Sequence, residues 1–231
     1  METLYVALDF KTEAETFDFL KLFEGRQIGV KVGMSQFYMS GPSIIERLCD
    51  MGHEVFLDLK CHDIPNTVYL AMLQLSQLPI ELVTIHAIGG KEMMRAAVKG
   101  VQEGKHQPKV LAITQLTSTN QEMLNNQLQI PGTVAESVEH LTRLALDSGV
   151  DGLVSSVQES KMIKEVSKGQ LLSLTPGIRL NKNAHDDQER IASPEEARAN
   201  GADYIVVGRP IIQADDPVRA YEEMKEHWEG K

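Results

Sequence analysis

The sequence has little cysteine, no basic excess and no long apolar run, and each shortage closes off a class of protein. Its two cysteines, Cys49 and Cys61, cannot build a disulfide framework, and no CxxC pair is present. Lysine and arginine number 23 against 33 aspartates and glutamates, a formal charge of −10. A general nucleic-acid or membrane-surface binder would carry a basic footprint instead. No stretch approaches the roughly 20 apolar residues that span a bilayer. The N-terminus places Glu2 where a signal peptide is basic, and its apolar run stops at Asp9. The expectation is a reduced, soluble, cytoplasmic protein with neither nucleic acid nor membrane as partner. GxGxxG, Walker A and HExxH patterns are missing too. So are linkers, low-complexity tracts and breaks in composition.

What is present is enough apolar residue for a sizeable core. Counting glycine and leaving tyrosine out brings the apolar fraction to roughly 47%, inside the globular range of about 45–50%. Short, β-rich apolar runs recur at Leu4–Asp9, Ile28–Gly33, Glu54–Lys60, Leu82–His86, Lys109–Thr114, Gly149–Ser155, Leu171–Thr175 and Asp203–Val207. They are near-continuous rather than alternating, as parallel strands covered on both faces are. Eight runs in 231 residues give about 29 residues per unit, the size of one strand with its crossover helix.

Helix signals fill the intervals. Thr12–Glu15 and Thr133–Glu136 are capping-box patterns, and Ser193-Pro194-Glu195-Glu196 adds proline at the first helical position. Val134, Val138, Leu141 and Ala145 then share one helix face. The charged segment Asp216–Trp228 reads as a surface helix closing the chain. The alternation predicts an α/β fold, a single (β/α)8 TIM barrel of eight parallel strands over residues 1–231. A doubly wound open sheet is the structural competitor.

In such barrels the chemistry lies at the C-terminal strand ends and just beyond. The densest of these ends is Asp58-Leu59-Lys60-Cys61-His62-Asp63. Strand periodicity points Asp58 and Lys60 to one side, and a carboxylate and an ammonium there are costly unless paired. A structural ion pair is the plain alternative. Lys31, between Val30 and Val32 on the next strand, and Asp9 at the end of the first argue for an alternating charge network. Arg179 after strand seven and Gly208-Arg209 after strand eight fall where this fold holds phosphate, and an arginine fork suits phosphate oxygens. Between Arg179 and Arg190 runs a polar loop longer than the usual two to six residues, a lid over a phosphorylated ligand or an inert surface loop. Cys61 and His62 point apart on an extended chain and make a poor nucleophile–base pair. His86 is the histidine best placed as ligand or base, though a hydrogen-bonded structural role suits it better. Asp58, Asp63 and His86 could be imagined around Mg²⁺, with Lys60 between them as an electrostatic objection.

Taken together these residues resemble a known family. Asp58-Leu59-Lys60-Cys61-His62-Asp63-Ile64-Pro65-Asn66-Thr67 is similar to the D-x-K-x-x-D-I-P-x-T signature of the orotidine 5′-phosphate decarboxylases. Ala7-Leu8-Asp9, Val30-Lys31-Val32-Gly33, Leu116-Thr117-Ser118, Thr175–Arg179, Asp187–Arg190 and Val207–Pro210 resemble its other blocks, in order, over almost the whole chain. The resemblance implies conversion of orotidine 5′-monophosphate to UMP and CO₂, the last step of pyrimidine nucleotide synthesis, with no metal and no organic cofactor. It implies that Lys60 protonates C6, that Asp58 faces the departing carboxylate and that Lys31 holds the network. Asp9 and Lys31 would meet the ribose, Thr117 and Ser118 the pyrimidine, and Arg179, Gln188, Gly208 and Arg209 the phosphate. Ile64 and Pro176 fall inside the matching blocks and count with the substrate-binding residues. Asp63, with Thr67 beside it, would enter the site of the other subunit of a homodimer. Two rivals stay open: a Mg²⁺-dependent sugar-phosphate lyase or aldolase sharing D-x-K-x-x-D, and a non-catalytic nucleotide-phosphate-binding barrel.

Overall fold

All eight apolar runs form strands in the computed structural model, which describes residues 3–180 and 190–231. They are β1 (Leu4–Ala7), β2 (Gly29–Gly33), β3 (Glu54–Cys61), β4 (Leu82–His86), β5 (Lys109–Ile113), β6 (Gly152–Val154), β7 (Leu172–Thr175) and β8 (Tyr204–Val207). Each pairs in parallel with the next, and β1 pairs with both β2 and β8. The sheet therefore closes into a barrel in sequence order. Closure removes the open-sheet alternative and leaves no strand edge for another chain to template on.

The described helices are α1 (Glu13–Lys21), α2 (Met34–Ser40), α3 (Pro42–Asp50), α4 (Pro65–Leu75), α5 (Gly90–Gln102), α6 (Val134–Ser148), α7 (Val157–Val166), α8 (Pro194–Ala199), α9 (Arg209–Ile212) and α10 (Pro217–Glu229). A 3₁₀ turn at Ala87–Gly89 and a π-helical turn at Met123–Gln127 interrupt the alternation. The three predicted capping boxes close at Thr12, Thr133 and Ser193, each oxygen taking the backbone N–H three residues on. On α6 the predicted face buries Val138, Leu141 and Ala145, while Val134 in the first turn is half-buried. The last helix is charged outside but sends Tyr221, Met224 and Trp228 into the core.

Two apolar layers follow from the strand pattern. One side chain of each alternating pair faces the helices, in a core including Val6, Val30, Val55, Val83, Val110 and Ile205. The other faces the barrel axis, where Tyr5, Ala7, Phe56, Leu82, Leu111, Leu174, Tyr204 and Val206 fill the interior. Tyr5 meets Phe56 edge-on at 5.7 Å between ring centroids, a geometry the ring quadrupoles favour. At Gly152 a Cβ would sit 2.6 Å from the Leu172 carbonyl oxygen, so β6 approaches β7 at a distance that glycine alone permits. The packed axis is a plug, and the space above it at the C-terminal strand ends is open for a ligand. Among the described residues, no helix is long and apolar enough to cross a membrane.

Candidate active site

A cavity of about 480 Å³ opens at that end of the barrel. Its floor is the top of the axial layer, with Ala7, Phe56, Val154, Leu174 and Val206. Its walls carry Asp9, Lys31, Asp58, Lys60, Thr117, Pro176, Arg179, Gly208 and Arg209. Nine of the predicted site residues, scattered from residue 9 to residue 209, thus face one space.

The charges on one wall form a chain across three adjacent strands. Lys60 Nζ donates to Asp58 Oδ2 at 2.6 Å. Lys31 Nζ lies 3.6 Å from the same oxygen and 3.4 Å from Asp9 Oδ1. Asp58 also accepts a hydrogen bond at Oδ1 from the Thr84 hydroxyl, at 2.9 Å. Burial pushes the Asp58 carboxyl up, but Lys31 and Lys60, with the Lys60 and Thr84 hydrogen bonds, outweigh it and hold it below the usual carboxylate range. The side chains of Asp58 and Lys31 are each 11% exposed, and that of Asp9 is 57% exposed. The inner charges are therefore desolvated in advance, while Asp9 stays wet at the rim. An alternating −+−+ array of this kind is strongly directional because water screens it little.

The strand ends of β7 and β8 bring two arginines to the same cavity. Arg179, 6% exposed, follows the turn Thr175-Pro176-Gly177. Gly177 takes a φ of +81, a left-handed conformation that glycine adopts without steric cost. Arg179 N–H donates to the Ala192 carbonyl at 2.9 Å and Ala192 N–H to the Gly177 carbonyl at 3.2 Å. These bonds pinch together the two ends of the segment between β7 and α8. Arg209 opens α9 directly after Gly208. The two guanidiniums face a cavity whose other charged wall is the Asp–Lys chain.

Not every predicted residue is in the cavity. Asp63, Ile64, Thr67 and Ser118 are exposed and do not line it. Asp63 Oδ1 accepts the Ile64 N–H at 2.7 Å, and Ile64 is 67% exposed. Gln188 and most of the Arg179–Arg190 loop lie outside the described residues. His86 does not line the cavity; its ring lies 5.6 Å from that of His62, and burial foremost, then His62 and Lys60, holds its pKa down against the pull of Asp58. Among the described residues its buried Nδ1 has no hydrogen-bond partner, so the hydrogen-bonded role expected for it is not seen at that atom. Burial raises the Cys61 thiol, which disfavours a thiolate nucleophile. Among the described residues, no three His, Cys, Asp or Glu side chains gather as metal ligands would.

Sequence reasoning missed several members. Gln115 lines the cavity and donates to Ser137 Oγ at 3.0 Å, fastening the β5 loop to α6. Ser155, Ile212 and Gln213 line it as well. Arg190 pairs with Glu159 and donates through Nη2 to the Leu116 carbonyl at 2.8 Å. Glu159 is itself the partner of Ser156 in a fourth capping box, a Ser-x-x-Glu signal that was legible in Ser156–Glu159.

Fold and site together define a (β/α)8 barrel with a cationic mouth and a desolvated lysine–carboxylate array, shaped for a small anionic ligand. The sequence profile of the orotidine 5′-phosphate decarboxylase / HUMPS family matches residues 2–224, and the chain belongs to that family. It is 47% identical to an orotidine 5′-phosphate decarboxylase of Bacillus cereus over 233 aligned positions, covering 99% of this chain and 98% of that protein. The same identity and coverage hold for the protein of that name from Bacillus mycoides. Among solved structures, orotidine 5′-phosphate decarboxylase from Lactobacillus acidophilus superposes with a TM-score of 0.88 at 38% identity, covering 99% of each chain. An uncharacterized conserved protein from Geobacillus kaustophilus gives 0.87 at 42%, covering 97% of this chain and 99% of the other.

Proposed function

We propose that this family member is a carboxy-lyase that converts orotidine 5′-monophosphate to UMP and CO₂, the last step of UMP synthesis. The observation that carries the reading is the Asp9–Lys31–Asp58–Lys60 chain lining one cavity together with Arg179 and Arg209. Near full-length identity to proteins of that activity supports it over the sugar-phosphate branch of the family.

The chemistry needs little beyond these side chains. Cleavage of the C6–carboxylate bond leaves its electron pair on a ring carbon with no adjacent sink, so the barrier is electrostatic. An ammonium fixed beforehand beside that carbon stabilises the developing charge without reorganising. Lys60 supplies it, then transfers one proton to C6 and regains one from water. Asp58 faces the substrate carboxylate, a repulsion of about 4 kcal/mol at 4 Å and an effective dielectric near 20, which departure of CO₂ relieves. Lys31 holds Asp58 and, with Asp9, meets the ribose hydroxyls. Thr117 and Pro176, which line the cavity, border the pyrimidine, and Ser118, exposed beside Thr117, would have to turn inward to join them. Arg179, Gly208, Arg209 and Gln188 grip the phosphate.

Neither metal nor organic cofactor enters this scheme. With purified protein, loss of orotidylate absorbance is expected to proceed at the same rate with and without EDTA. An EDTA-silenced reaction would show that a metal is required, and no reaction in either condition would favour the Mg²⁺-dependent lyase or a binding barrel.

The protein acts as a homodimer in the cytoplasm, with Asp63 and Thr67 reaching into the partner's cavity. Their exposure outside their own cavity supports this. Asp58→Ala and Asp63→Ala proteins should each be nearly inactive alone. After joint unfolding and refolding, about half of the dimers are mixed, each with one intact site, so about a quarter of wild-type turnover returns. No recovery would place both carboxylates in a single chain's site.

A further inference from the structure

Between β3 and β4 the parallel register breaks opposite a single residue. Leu57 pairs with Val83 and Cys61 with Ile85, so β3 spends three residues, Asp58, Leu59 and Lys60, where β4 spends only Thr84. Lys60 sits in this bulge with a φ of +53, one of three non-glycine residues on the described chain in the left-handed region. A β-bulge re-aims a side chain at the cost of ladder hydrogen bonds, and a left-handed lysine persists only where its surroundings enforce it.

Thr84 supplies the enforcement. It is fully buried, at 0% exposure, and faces the barrel interior without lining the cavity. Its Oγ1 accepts the Lys60 backbone N–H at 2.9 Å and donates to Asp58 Oδ1 at 2.9 Å. One hydroxyl thus joins the backbone of the lysine to the carboxylate of the aspartate, while Lys60 Nζ closes the ring on Asp58 Oδ2 at 2.6 Å. Without that oxygen, Lys60 N–H loses its partner and the left-handed turn loses its tether. The Asp58 carboxylate loses the bond that fixes the plane in which Oδ2 meets both lysines.

We propose that Thr84 is a positioning residue for the decarboxylation: its hydroxyl sets the arc of the Lys60 ammonium and the plane of the Asp58 carboxylate. This rests on the reaction assigned above. A misplacement near 1 Å at a reacting group costs about 10²-fold, and that is the scale of loss expected in kcat when the hydroxyl is removed.

The test compares three variants at this position. Ser retains the oxygen, Ala differs from Ser by that oxygen alone, and Val keeps the shape of threonine without it. Thr84→Ala and Thr84→Val are expected to lose about 10²-fold in kcat, with KM for orotidylate within a few-fold and UMP affinity unchanged by titration calorimetry. Thr84→Ser is expected to stay within a few-fold of wild type in all three. If Val fails to fold, the Ala–Ser pair decides, since neither adds bulk. Equal kcat in Ala and Ser overturns the proposal, as does a loss confined to KM. A wild-type protein that leaves orotidylate intact overturns the assigned reaction instead, an outcome read before any variant is made.

Discussion

Replacing Lys60 with alanine is expected to lower turnover of orotidylate by about 10⁴-fold or more while UMP still binds. Two contributions disappear together. Positioned proton transfer is typically worth about 10²–10⁴-fold, and loss of one preorganised group that stabilises the developing charge costs about 10²–10³-fold. Both depend on the same ammonium, so the losses overlap: the combined effect lies between the larger single term, about 10⁴-fold at its upper end, and the product of the two, about 10⁷-fold. The variant also changes the substrate's reception. Asp58 loses the cation at 2.6 Å and keeps Lys31 at 3.6 Å. A carboxylate with less compensation then faces the substrate's own carboxylate, so orotidylate should bind more weakly than UMP, which has none. Single-turnover absorbance loss gives the rate, and calorimetry with UMP gives the binding. Turnover within tenfold of wild type would remove Lys60 from the reaction, whatever its place in the charge chain.

The eight strands and the charged strand ends were legible because they rest on local rules, whereas the β1–β8 pairing that closes the sheet was not. Apolar runs, capping boxes and the fold's habit of placing chemistry at strand ends were enough to gather Asp9, Lys31, Asp58, Lys60, Arg179 and Arg209. The pairing of Asp58 with Lys60 was legible too, though by an argument that is only partly right. Period-two alternation assumes a regular strand, whereas Lys60 reaches Asp58 from a left-handed bulge. A bulge is set by the neighbouring strand, here by a threonine 24 residues away in sequence, and no local pattern announces it. The contacts of Gln115 and Arg190 were missed for the same reason. Their partners, Ser137 for the one and Glu159 with the Leu116 carbonyl for the other, are fixed by how loops lie across the barrel mouth. Asp63 and Thr67 were named from the signature alone, and the cavity of this chain does not contain them. The net charge of −10 describes the surface, while the cavity is lined by two lysines and two arginines brought from four strand ends.

Truncating Arg209 to alanine is expected to lower kcat/KM for orotidylate by about 10²–10⁴-fold, through KM and kcat together. A hydrogen bond to a charged group contributes about 1.5–3 kcal/mol, and a guanidinium can offer phosphate two. That amounts to about 3–6 kcal/mol, at about 1.4 kcal/mol per tenfold. The guanidinium is carried on α9 just after β8, while the Asp58–Lys60 pair stands on β3, three strands round the barrel. Its removal therefore cannot touch the proton transfer directly. A fall in kcat would mean that phosphate binding energy is used to hold the substrate against Asp58 and beside Lys60, rather than only to retain it. Orotidine without its phosphate separates these meanings. The wild-type protein should turn it over far more slowly than orotidylate, and Arg209→Ala should act on it almost as the wild type does. Arg179, at 6% exposure, stays in place in the variant, so residual phosphate affinity is expected. If Arg209→Ala slows orotidine as much as orotidylate, the arginine supports the barrel mouth and does not bind the phosphate.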